Sequence, residues 1–121
     1  FKFDAGTAAD IARINGIDID PHTHARRLAL CASLCPTWVQ TCLFRWDGEL
    51  PSQEQIDHYL EMLKYAGTAA LKGVLLYGVV RPSFQPEAAH LQQLAPDELE
   101  AIARTVREKL GTGGLTVTVS P

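Results

Sequence analysis

The chain has 121 residues, 46% of them apolar and 21% charged, with 11 basic against 14 acidic side chains and a formal charge of -3. This composition excludes a disordered chain, the length suits a single domain over residues 1–121, and the charge lacks the basic footprint of a nucleic-acid binder. The longest uncharged apolar runs, Gly73 to Val80 and Trp38 to Phe44, fall short of the roughly 20 residues of a membrane helix, so neither a membrane nor a nucleic-acid partner is expected.

Phe1-Lys2-Phe3-Asp4 alternates apolar and polar and reads as a strand entered midway, as if cut from a longer protein. Thr7 then caps a short helix over Ala8 to Asn15, stopped at Asn15-Gly16. Asp20-Pro21 opens a second helix with a capping carboxylate and a proline at its first position, and Leu28, Ala32 and Cys35 share its apolar face. Pro36 closes it. Thr37 to Arg45, rich in β-branched and aromatic residues and bounded by Asp47-Gly48, is a buried strand.

Ser52 leads a third helix, with Ile56, Leu60, Leu63 and Ala66 at helical spacing and Gly67 just beyond. Lys72 to Val80 is almost unbroken apolar, as strands covered by helices tend to be. Arg81-Pro82 ends it, and residues 83–95 form a long connection with weak order signals. Pro96-Asp97-Glu98-Leu99 starts a helix that runs to Leu110, and Leu115 to Val119 is a last strand. The order predicts an α/β fold with a parallel sheet of about four strands and helices on one side.

In parallel α/β folds functional groups gather at the carboxyl ends of strands. That rule selects Asp4, then Arg45, Asp47 and Glu49, then Arg81 and Ser83, on one rim. Within the second strand Gln40 shares a face with Trp38, Cys42 and Phe44, and Thr41 shares the other with Leu43 and Arg45. Either face therefore carries a polar group. Lys2 and Asp4 share a face of the first strand, as an ion pair or as part of a ligand site. The three cysteines Cys31, Cys35 and Cys42 are odd in number and lack metal-binding spacing, which favours buried free thiols and a reducing, cytoplasmic compartment. The four histidines read as exposed side chains, and the chain contains no GxGxxG, P-loop, GxSxG or HExxH motif.

At Phe3-Asp4-Ala5-Gly6, Ala12-Arg13-Ile14-Asn15-Gly16, Thr37-Trp38-Val39-Gln40-Thr41 and Lys72 through Ser83, the chain resembles the later half of a radical S-adenosylmethionine (radical SAM) domain. The branch it is most similar to is that of the wyosine-synthesis and molybdenum-cofactor-synthesis enzymes. The resemblance implies a partial (β/α)6 barrel of TIM type, of which these would be the last three or four strands. It also implies SAM and a 4Fe-4S cluster as cofactors of the intact protein. It places Lys2, Asp4 and Gln40, or its neighbour Thr41, against the methionine and ribose parts of SAM, and the strand ending at Gly78 against adenine. Arg45, Asp47, Arg81 and Ser83 would face a small-molecule substrate. The family binds its cluster through CxxxCxxC, and Cys31-x3-Cys35 has no third cysteine at that spacing, so this segment alone is expected to hold no cluster and to be inactive. Its partner would be the missing half of the barrel or a second copy of itself. A non-catalytic α/β binding or oligomerisation module is the alternative.

Overall fold

Each helix begins where a side chain can take up a free backbone N–H. In the computed structural model, which describes residues 1–79, 89–111 and 115–120, helix α1 (Ala8–Asn15) starts at Thr7, whose hydroxyl accepts from Asp10 N–H at 3.1 Å. Helix α2 (Pro21–Leu34) starts at Asp20, which accepts from Thr23 N–H at 3.0 Å. Strands β1 (Trp38–Leu43) and β2 (Arg45–Trp46) follow, then helix α3 (Gln53–Ala66), where Ser52 and Gln55 cap each other's backbone reciprocally. A single 3-10 turn over Thr68–Ala70 leads into strand β3 (Gly73–Gly78). The two-residue strand β4 (Leu91–Gln92), helix α4 (Pro96–Leu110) and strand β5 (Thr116–Ser120) complete the order.

Strands β1, β3 and β5 form a three-stranded parallel sheet in chain order, with Val39, Val74 and Val117 in one register row and Thr41, Leu76 and Val119 in another. Those rows face the helices. Phe3, Leu28, Val39, Leu63, Val74, Leu76 and Leu99 are fully or almost fully buried in one core with α2, α3 and α4, each such side chain stabilising the fold by roughly 1.5–3 kcal/mol. The other face stays open: Trp38 is 43% exposed, and Gln40, Thr116 and Thr118 are exposed.

The expected fourth strand reduces to a bridge. Lys2 pairs in parallel with Gln40, through Phe3 N–H to the Gln40 carbonyl at 3.0 Å and Gln40 N–H to the Phe1 carbonyl at 2.8 Å. Beyond Asp4 the backbone turns at once toward α1, where Gly6 lies so close to the His58 backbone of α3 that a Cβ would collide with it. The strand expected over 37–45 ends at Leu43. Arg45–Trp46 instead pairs antiparallel with Leu91–Gln92 in a separate ladder, because Asp47 (φ 50°) and Gly48 (φ 84°) turn the chain back on itself with Trp46 facing Glu49. The connection expected over 83–95 thus contains β4, and its residues 83–88 lie outside the described ones.

The burial of the cysteines also differs from expectation. Cys35 ends α2 as an exposed cap residue and Cys31 is half-buried. Leu30 and Leu34 are 60% and 75% exposed, because the face of α2 turned to the core is the one carrying Ala25 and Leu28.

Candidate functional site

Among the described residues, two places gather polar side chains against uncovered surface. The first is the open face of the sheet. Bridge partners Lys2 and Gln40 leave the backbone on that side. Lys2 Nζ donates to the Tyr77 hydroxyl at 2.6 Å and lies 3.2 Å from the Asp4 carboxylate. Partial burial pulls the Lys2 pKa down, but the Tyr77 bond and the Asp4 charge outweigh it and hold the ammonium above its ordinary value. Gln40 is exposed and its amide has no hydrogen-bond partner among the described residues.

Asp4 is the organising group beneath this face. Its side chain is only 2% exposed, and it accepts from the Cys42 N–H at 2.9 Å and the Asn15 amide at 3.2 Å as well as meeting Lys2. It therefore ties the chain leaving Phe3 to β1 and to the end of α1. Burial pushes the Cys42 thiol up to about 11, with the Asp4 charge adding to the shift and Lys2 opposing it, so Cys42 is a protonated thiol at neutral pH.

The other sequence-selected residues are placed elsewhere. Thr41 points away from the open face, into the helix layer, where its Oγ1 donates to the Phe3 carbonyl at 2.8 Å and lies 2.6 Å from the Tyr59 hydroxyl. Burial raises the pKa of Tyr59 well above its usual value. Gly78 closes β3, and a Cβ there would meet nothing within 4 Å. Arg45 is committed to an ion pair with Glu98 at the start of α4 and donates to the Gly48 carbonyl at 2.7 Å. Asp47 sits at the exposed hairpin tip, 2.8 Å from His90 Nδ1. Arg81 and Ser83 lie outside the described residues. Lys2, Asp4 and Gln40 thus come together, whereas Arg45 and Asp47 stand on the hairpin beyond the rim.

The second place is a cavity of about 110 Å³ behind the carboxyl end of β1. Ile14 of α1, Leu43 and Phe44, Ile56 of α3, and Ile102 and Val106 of α4 form its apolar wall. Asp10, Arg13, Glu49 and Gln55 supply its polar groups. Trp46 stands beside it, stacked on His90 (4.9 Å, 6°) with the Arg13 guanidinium 5.0 Å from its ring centroid. Sequence reading missed Tyr77, Asp10, Arg13 and Trp46. Tyr77 alone had a usable signal, as the one polar-tipped side chain in an apolar strand.

The cysteines do not fit a 4Fe-4S cluster: Cys31 and Cys35 lie on α2 and Cys42 on the sheet. Among the described residues no three His, Cys, Asp or Glu side chains are grouped to hold a metal ion. No family model, curated protein or solved structure matches the chain.

Proposed function

We propose that this α/β unit is a sector of a radical SAM barrel and that its open sheet face forms part of the wall against which SAM and a small substrate are held. The observation that carries this reading is the pairing of two features. The parallel strands neighbour one another in chain order with their core on one side, as in a sector of a (β/α) barrel. The other side presents Lys2, Gln40 and Tyr77 together. The Lys2 ammonium suits a carboxylate and the Gln40 amide suits hydroxyl or amino groups. Asp4 acts through Lys2 as a positioning residue. The reacting chemistry of such an enzyme belongs to its cofactors, and what falls to these residues is to bind and orient. No step through an iron-sulfur cluster is assigned to them, since their cysteines do not fit one. In use, the open face would be closed by the rest of the barrel or by a second copy, in the cytoplasm.

Titrating the chain with SAM while following its amide resonances tests the reading. Saturable shifts are expected at Lys2, Gln40, Leu75 and Thr118, which share a register row, and Lys2→Ala with Gln40→Ala should weaken binding by about tenfold or more, the equivalent of one lost charge-assisted hydrogen bond. The proposal fails if SAM leaves that row unmoved, or if the double variant binds as well as the native chain.

A further inference from the structure

The cavity behind the rim takes no part in the binding proposed for the open face. Its wall is apolar, and Leu43, Ile56 and Ile102 are each only partly buried there, so apolar area remains to be covered. At about 110 Å³ it is smaller than the ~150 Å³ cavity that takes benzene, which suits a branched alkyl group of about three to four carbons, smaller than benzene itself.

Its polar end favours a cation. Asp10 lines the cavity with its side chain 18% exposed. Both of its donors, Arg13 at 3.3 Å and Gln55 at 3.5 Å, reach the same oxygen, Oδ1. Among the described residues no donor reaches Oδ2. This oxygen is not itself buried, and an open carboxylate oxygen short of protein donors can accept from an N–H group, above all a charged one. Glu49 adds a second carboxylate at the same mouth. The charge of Asp4 is offset by Lys2. Among the described residues of the lining Arg13 is the one guanidinium, and it is already held between Asp10 and the face of Trp46, so the described carboxylates outnumber the cation there.

We infer that this cavity is a binding site for a small branched aliphatic amine, with its alkyl group in the apolar chamber and its ammonium on Asp10 Oδ2. The neutral alcohol offers this oxygen only an uncharged O–H donor, and the anion offers none and meets Asp10 and Glu49 as like charges.

Three probes of one shape test this on the whole chain: isobutylamine, isobutanol and isobutyrate, each followed through amide and indole resonances. Isobutylamine should produce saturable shifts at Asp10, Arg13, Gln55 and the Trp46 indole. Isobutanol should bind the same residues about tenfold more weakly, because it lacks the ammonium charge that pairs with the carboxylate, and isobutyrate should leave them unmoved. Asp10→Asn should weaken the amine about tenfold and the alcohol by distinctly less. Ile14→Phe, which fills the chamber, should abolish both. Should Asp10→Asn fail to fold, Glu49→Gln and the probe comparison on the native chain decide. Equal binding of amine and alcohol, preference for isobutyrate, or no saturable shift would overturn the inference. Gln40→Ala, which lies outside the cavity lining, should weaken SAM binding and leave amine binding intact, so this result and the SAM result stand or fall separately.

Discussion

Thr41 shows how one side chain decides which face of a strand is inside. Its hydroxyl serves the Phe3 carbonyl and the Tyr59 hydroxyl at once, deep in the helix layer. Thr41→Val keeps the shape and leaves both partners buried without a bond, so it should destabilise the fold by about 2 kcal/mol, read as a lower midpoint in urea with unchanged slope. Tyr59→Phe leaves the bond to Phe3 in place and should cost about 1 kcal/mol, and the two losses should not add. A neutral Thr41→Val would mean that water serves these groups. In the sequence, the alternation from Trp38 to Arg45 left Gln40 and Thr41 equally eligible for either face, because each face mixed apolar and polar residues. The Tyr59 hydroxyl that satisfies Thr41 is 18 residues away, beyond the reach of any local pattern. Cys42 carries a second consequence. Its pKa is about 11 in the fold against an ordinary 9.0, so between those values the unfolded chain loses a proton that the folded chain keeps. Stability attributable to this group is full below pH 9.0 and falls as pH rises toward 11. The decline between those limits should be shallower in Cys42→Ala than in the native chain, measured by urea unfolding at each pH, and an identical slope would show that the thiol is not shielded.

At the scale of elements, what was legible is what depends on short-range chemistry. The caps at Thr7, Asp20-Pro21 and Ser52, and the start of α4 at Pro96, stand where their residue types place them, because a cap needs partners only three residues away. The β2–β4 ladder was not legible. Two residues per strand carry no period, and its geometry is set by the Asp47-Gly48 turn together with Gln92, whose side chain accepts from Gly48 N–H at 2.5 Å. The same ladder explains why Arg45 is no free rim cation: it is bound to Glu98, whose other oxygen accepts from Ala95 N–H at 2.9 Å and so caps α4. Close approach between elements was equally hidden. Gly6 lets the chain entering α1 pass against the backbone of α3, and Gly73 lies beneath the Trp38 ring beside the Thr116 carbonyl. Gly6→Ala must push backbone from backbone and is expected to destabilise by roughly 1–3 kcal/mol. At Gly73 part of the clash is with a movable ring, but the Thr116 carbonyl belongs to the neighbouring strand, so Gly73→Ala should also loosen β5. Thermal unfolding of the two variants checks both, and a native midpoint for Gly6→Ala would show that α1 and α3 can separate freely.

For the whole molecule, the parallel order was readable because a helix between successive strands leaves few other topologies, while the number of strands was not, since Phe1–Asp4 carries a strand-like alternation and yet contributes a single bridge. The consequence is a graded structure. Strand β3 has neighbours on both sides and buries Val74 and Leu76 in the core, so its amides can open only when β1 or β5 is released along with the helices that cover them. The β2–β4 ladder rests on two residue pairs, with Trp46 held between His90 and Arg13 as its anchor, and it can detach without disturbing that core. Hydrogen exchange should therefore find Leu75 to Tyr77 exchanging through global unfolding, with a steep dependence on urea, and Trp46 and Asp47 exchanging far faster through local opening with almost none. Replacing His90 with alanine removes both the stack on Trp46 and the contact with Asp47, and should speed exchange in the ladder while leaving β3 unchanged. Equal protection of ladder and sheet, or a loss of β3 protection in the His90 variant, would mean that the hairpin is part of the cooperative core and that the cavity wall it contributes cannot move independently of the sheet.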